Sequence, residues 1–213
     1  LAQYEEGNDE EVVLYEPEAL VLSGGWSELN GNDPDFDGTA ATKGINPATG
    51  MVIYYELPEL GDSVEVMLKI KDTSGKLVRT ISSEKDSGFR SGWAGGPPPR
   101  PTLDKKRGLN RFVWDLRHDI MPGVPEVYIE ASYRGHKVSP GEYAIELVVL
   151  DKSYRTTAQV KVNPLYDIDM ESYEEYDAFM TEVDANLTTM HNMVNEMAEL
   201  MRQVAESAAK LLK

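Results

Sequence analysis

Three aspartates at alternate positions, Asp33, Asp35 and Asp37, are the residues whose type and spacing best suit metal chemistry. With Gly38 at the sixth place they reproduce the first half of a calcium-binding loop, where carboxylate oxygens alternate and glycine permits a sharp turn. The twelfth place, which should carry a bidentate glutamate, is Gly44. The segment is therefore either a Ca²⁺ site completed by another part of the chain or an ordinary acidic loop. No other cofactor is predicted.

Two aromatic residues, Phe89 and Trp93, lie in a Gly- and Pro-rich segment and are candidates for contact with a partner. The alternative is a loop that folds back over its own domain. The three histidines, His118, His136 and His191, stand on different predicted elements without ligand spacing. Their spacing predicts neither a metal site nor acid–base chemistry.

Composition limits the function classes. The chain has 213 residues, with 37 acidic against 21 basic side chains and a formal charge of −16, which argues against a nucleic-acid partner. Eleven acidic residues precede the first basic one, Lys43. Cysteine is absent, so the sequence offers neither disulfides nor thiolate ligands. No apolar run reaches the roughly 18 residues that a membrane-spanning helix needs. The first residue is Leu1 and no basic and apolar leader follows it, which suggests a processed chain or a fragment.

Strand patterns fill the middle of the chain. Apolar residues alternate with polar ones between Ser63 and Lys71, which predicts a half-buried strand. Gly75 follows as a turn residue because glycine adopts positive φ at little cost. Tyr143, three residues after a proline, is predicted to fix a sandwich corner, or else to be an ordinary core aromatic. Trp114 is predicted to fill the space between two sheets.

The spacing of apolar residues changes in the last fifty residues. Apolar residues recur there every seven residues over about four heptads, which predicts a long amphipathic helix seated on a second helix or a groove. We call this row the apolar seam. It consists of Val183, Leu187, Met190, Val194, Met197, Met201, Val204, Ala208 and Leu211.

Several motifs resemble, in this order, the C-terminal region of secreted bacterial proteins with sortilin-like Asp-box (neuraminidase) repeats, often labelled glycosyl hydrolases. They are Val12-Val-Leu-Tyr-Glu-Pro17, Asn46-Pro-Ala-Thr-Gly-Met-Val-Ile-Tyr-Tyr55, Val66-Met-Leu-Lys-Ile-Lys-Asp-Thr-Ser-Gly-Lys-Leu-Val-Arg79, Gly108-Leu-Asn-Arg-Phe-Val-Trp-Asp-Leu-Arg117 and Pro140-Gly-Glu-Tyr143. The hairpin around Gly75 and the strand containing Trp114 are also similar to the Ig-like domain of the flagellar hook-capping protein and to bacterial secretion-tail modules.

The resemblance implies an extracytoplasmic protein, secreted, periplasmic or on a bacterial cell surface. In the Asp-box proteins a large β-propeller precedes an Ig/fibronectin-like sandwich and helices. Any catalytic site of the family would lie in the propeller, which this chain lacks. No catalytic residue is therefore assigned here.

These observations predict a mainly β protein with an α appendage. The expected parts are an acidic lead-in with short strands and an Asp/Gly-rich loop over 1–50, an Ig/fibronectin III-like sandwich over 51–165 and an amphipathic heptad helix over 166–213. The expected function is a non-catalytic assembly module or structural subunit whose helix packs on a protein partner, on a second copy as a coiled coil, or on its own sandwich. The alternatives are the C-terminal piece of a secreted Asp-box glycoside hydrolase and a calcium-assisted carbohydrate-binding module.

Overall fold

Eight strands, a short 3-10 helix (Glu28–Asn30) and one long helix make up the described part of the chain. A computed structural model describes residues 11–25, 27–31, 42, 44–86, 97–125, 127 and 132–211. The strands are β1 (Val13–Leu14), β2 (Leu20–Val21), β3 (Met51–Leu57), β4 (Val66–Lys71), β5 (Leu77–Ser82), β6 (Gly108–Trp114), β7 (Gly141–Val149) and β8 (Lys152–Lys161). The helix, α1, runs over Met170–Leu211. The predicted class, mainly β with a C-terminal helix, is confirmed in this coarse form.

The strands form two sheets. One has three strands in the order β1-β3-β6, and the other has five in the order β2-β8-β7-β4-β5. Neighbouring strands run antiparallel except for β2 and β8, which are parallel. The first fifty residues, predicted as a lead-in, contribute β1 to one sheet and β2 to the other. Their strands are thus built into the same body as the rest of the β region.

A single apolar core joins the two sheets. Side chains alternate along a strand, so each sheet turns one row of residues inward. In β4 that row is Val66, Leu68 and Ile70, all fully buried, as the period-two pattern predicts. Ile53 from β3 and Ile145 from β7 belong to the same cluster. Burial of this cluster is the main contribution to folding.

Trp114 occupies the centre of this core with no exposed surface. Its ring meets that of Tyr143 edge-on, with centroids 5.4 Å apart, and its indole N–H donates to the carbonyl of Arg117 at 3.0 Å. Since Trp114 lies on the three-stranded sheet and Tyr143 on the five-stranded sheet, the pair connects the two sheets.

A tight turn and a tyrosine hydrogen bond fix the path of the chain at the ends of two strands. Gly75 has φ +82° in the β4–β5 turn, where Asp72 Oδ1 accepts from the backbone N–H groups of Ser74 and Lys76. The Tyr143 hydroxyl donates to the carbonyl of Ser139, four residues upstream, at 2.6 Å. That bond is the one a tyrosine corner requires, and burial raises the pKa of the hydroxyl.

A buried carboxylate on β7, Glu146, lies between two basic side chains. Lys71 Nζ is 2.7 Å from its Oε2, and Arg155 donates through Nε and a terminal nitrogen to its Oε1. These hydrogen bonds, with that from Lys71 the largest influence, lower the pKa of Glu146 to about 2. The charged form is therefore favoured in the folded state.

The Glu146 cluster predicts a loss of stability in acid. Because the folded pKa is depressed, its contribution is fully present above the ordinary carboxyl pKa and is lost as pH falls through about 2. Urea denaturation at about pH 5 and about pH 3 should show a smaller pH dependence for Glu146→Gln than for the unmodified chain. An identical pH dependence in both proteins would show that Glu146 is not responsible.

Candidate functional site: the C-terminal helix and its junction with the sheets

Helix α1 forms because 42 residues follow one another without Gly or Pro. Asp169 precedes the first turn, and its Oδ1 accepts from the backbone N–H of Ser172 at 2.8 Å, the bond of an N-cap. Hydrogen bonds from Ser172 lower the pKa of Asp169. Glu171 in the first turn and Lys210 in the last suit the helix dipole.

The β6–β7 connection forms the platform for the first half of the helix. Its two ends run antiparallel, with the N–H of His118 donating to the carbonyl of His136 and that of Val138 to Leu116. This pairing stacks the two imidazoles, whose centroids are 4.0 Å apart with an angle of 18° between the planes. Both rings face α1.

Two aspartates of α1 reach this histidine pair. Asp184 Oδ2 lies 2.8 Å from His136 Nδ1 and also accepts from the His136 backbone N–H at 3.2 Å. Asp177 Oδ1 lies 3.3 Å from His136 Nε2 and 3.7 Å from His118 Nε2. Burial, followed by the neighbouring His136, lowers the pKa of His118. The helix is thus attached to the sheets through polar contacts.

Further along, α1 is held by backbone carbonyls of the same connection. His191 Nδ1 lies 2.6 Å from the carbonyl oxygen of Pro122, so that nitrogen carries the proton. Asn195 Nδ2 donates to the carbonyl of Gly123 at 2.9 Å. Near the start of the helix, Ser139 Oγ donates to the carbonyl of Tyr173 at 2.9 Å. These contacts extend over six turns of the helix.

The side of α1 that forms hydrogen bonds with the β6–β7 connection differs from the side that carries the apolar seam. Val183 and Leu187, at the start of the seam, are half-buried. From Met190 onward the seam is open: Met197 is 63% exposed, Met201 71% and Val204 68%. Other apolar residues widen the exposed surface, namely Met193 and Leu200. Sequence periodicity identifies the seam, whereas the hydrogen bonds to the β6–β7 connection come from polar side chains of α1 that lie outside it.

Beyond Asn195 the helix leaves the body of the protein. Every described residue over 196–211 is exposed. At 1.5 Å per residue this segment is about 24 Å long. Arg202 pairs with Glu199 and Glu206 along its polar side, and such pairs support an isolated helix. The segment therefore projects as a helix with an uncovered apolar row.

The other predicted site residues divide into two groups. Tyr143 and Trp114 lie in the core, where the Tyr143 hydroxyl donates to the Ser139 carbonyl, and Gly75 lies in the β4–β5 turn. Asp33, Asp35 and Asp37, predicted as a calcium loop, and Phe89 and Trp93, predicted as contact residues, lie outside the described residues. The calcium and aromatic-loop hypotheses stay predictions.

Comparison with family models, curated proteins and solved structures finds no match to this chain. In the described part of the chain no helix combines the length and apolar character needed to cross a membrane.

Proposed function

We propose that this chain is a non-catalytic assembly module, an Ig/fibronectin III-like sandwich that carries a helix for self-association. The observation that carries the proposal is the exposed apolar seam between Met190 and Leu211 on a projecting helix. We propose that this seam packs against the same seam of a second copy of this chain.

The strand order supports the sandwich. With β1, β3 and β6 as strands A, B and E, and β4, β7 and β8 as strands C, F and G, the neighbours correspond to those of Ig-type sheets. Tyr143 is the third residue of the strand that corresponds to F, where the tyrosine corner of these folds lies. The resemblance to the sandwich region of Asp-box proteins also supports an Ig-type sandwich.

The distribution of charge along the free helix supports a second copy. The positions that flank the seam carry no charge over 193–207: they are Met193, Ala198, Leu200, Ala205 and Ser207. The charged residues lie on the opposite side: they are Glu196, Glu199, Arg202, Glu206 and Lys210. In coiled coils the flanking positions of one helix meet those of its partner, and like charges there prevent pairing. A self-complementary seam without such charges suits a symmetric contact between identical chains.

The exposed seam is long enough to stabilise a contact between two helices. A seam of this length buries several hundred Å² of apolar surface in a pair, which corresponds to on the order of 10 kcal/mol before entropic costs. An exposed apolar strip this long marks an interaction surface. The β6–β7 connection supplies the base of the helix, because α1 is attached to it from Tyr173 to Asn195.

The test is the molar mass of the full chain in solution, measured by light scattering over a dilution series. We expect more than one chain per particle at high concentration and dissociation on dilution. A mass of one chain at every concentration would overturn self-association. In that case the seam belongs to a different protein, and a larger subunit assembly replaces the homo-oligomer.

The extracytoplasmic location follows from the resemblance alone and forms part of the proposal. The rival functions have their own tests. Glycan binding that requires calcium would support a carbohydrate-binding module that uses Asp33, Asp35 and Asp37. Release of sugar from a glycoside by the purified chain would support an enzyme.

A further inference from the structure

Three potential metal ligands converge where α1 meets the sheets. The ligand atoms of His118, His136 and Asp177 all lie within 4.8 Å of one another. In a tetrahedral zinc site, bonds of about 2.0–2.2 Å place neighbouring ligand atoms about 3.4 Å apart. The 3.3 Å and 3.7 Å separations of Asp177 Oδ1 from the two imidazole Nε2 atoms are already close to that value.

The hydrogen bonds of His136 prepare its second nitrogen for a cation. Its Nδ1 faces the carboxylate of Asp184, an acceptor, so Nδ1 carries a proton. In the neutral ring Nε2 is then an unprotonated acceptor, and it faces the carboxylate of Asp177 at 3.3 Å. The His136 side chain is 1% exposed, so little solvent screens this contact. Either a proton on Nε2 or a bound metal ion would satisfy both atoms at this distance.

A carboxylate behind a metal-binding histidine is a frequent arrangement, since it fixes the ring and makes its free nitrogen more basic. Asp184 has that position relative to His136. A proton on His136 would satisfy this ring alone, whereas a metal ion would be shared by His136, Asp177 and the stacked His118. His118, stacked on His136 with centroids 4.0 Å apart, brings a second imidazole to the same carboxylate.

The fourth position is open to solvent. A cleft of about 330 Å³, lined by His118, Asp177 and Thr181 among others, leads to the cluster. Thr181 lies one turn from Asp177, and its buried hydroxyl has no hydrogen-bond partner among the described residues. A water on a bound ion would supply that partner. Lys76 also lines this cleft.

We propose that His118, His136 and Asp177 bind a divalent transition-metal ion, with zinc as the best match to two imidazoles and one carboxylate. Binding turns the two stacked rings towards the shared ion, and water fills the fourth position. Since two ligands belong to the β6–β7 connection and one to α1, the ion fastens the helix to the sheets. The site is structural in this proposal and is independent of what covers the seam.

The experiment uses the full chain after removal of metals with a chelator. Titration with zinc chloride by calorimetry should show one ion per chain and a higher thermal midpoint, and cobalt(II) should give the visible absorption of a tetrahedral site. His118→Gln should abolish the binding, and Asp184→Asn should weaken it about 10–100-fold. His191→Gln, which changes the one histidine outside the cluster, is the matched control and should bind zinc normally.

Two results would overturn the proposal. One is the absence of zinc binding and of tetrahedral cobalt absorption in the unmodified chain, which needs no variant to fold. The other is zinc affinity in His118→Gln equal to that of the unmodified chain, because the ion would then lie elsewhere, for example at Asp33, Asp35 and Asp37. Circular dichroism of His118→Gln establishes that it keeps its fold.

Discussion

Replacement of Met197 and Met201 by glutamate is expected to reduce the assembled protein to single chains. Both side chains lie in the middle of the apolar seam, are largely exposed in one chain and would be buried in a pair. A carboxylate taken out of water without a partner costs several kcal/mol. Two such groups on each chain exceed what a contact of this size gains. Light scattering of the double variant should give the mass of one chain where the unmodified protein assembles.

The matched control places the same two charges on the opposite side of the helix. Asn192→Glu with Ala209→Glu adds equal charge at exposed positions away from the seam. Glutamate favours helices in all four positions, so helix content should stay the same. If the control dissociates as readily as the seam variant, general charge repulsion is the cause and the seam is not the contact.

Replacement of Trp114 by alanine is expected to produce the largest loss of folding stability. The side chain is fully buried, contacts Tyr143 across the sheets and donates a hydrogen bond to the Arg117 carbonyl. Deletion of a large aromatic side chain from a core typically costs about 3–5 kcal/mol. A domain has only about 5–15 kcal/mol in total, so the variant should be close to unfolding. Urea denaturation followed by circular dichroism measures the change.

A surface residue provides the reference for this measurement. Leu165 is 85% exposed, so Leu165→Ala should change the free energy of unfolding by less than about 0.5 kcal/mol. Trp114→Phe should lie between the two alanine variants because it keeps an aromatic ring but loses the indole hydrogen bond. Equal midpoints for Trp114→Ala and Leu165→Ala would mean that Trp114 does not support the core.

The parts of the fold that sequence alone could predict are those set by local pattern. Strand β4 follows from the alternation of Val66, Leu68 and Ile70, because burial of one face requires period two. The β4–β5 turn follows from Gly75, and α1 from the seven-residue repeat of its seam. Each of these signals is contained in a short window of sequence.

The helix junction could not be predicted, because its residues meet only through long-range pairing. His118 and His136 are brought together by the antiparallel ends of the β6–β7 connection, and Asp177 comes from a different element. No short sequence motif indicates that these three residues lie close together in the fold. Periodicity also fails for the docking face of α1, since a polar face that contacts the sheets has the same sequence pattern as one exposed to water.

The location of the histidines has a spectroscopic consequence. The chain has three, and all of them contact or lie beside the interface between α1 and the β6–β7 connection: His118 and His136 near Asp177, and His191 on the carbonyl of Pro122. Imidazole ring protons resonate apart from most other signals of a protein. In a proton NMR spectrum of the unlabelled chain, every histidine ring signal therefore reports on how the helix packs against the β6–β7 connection.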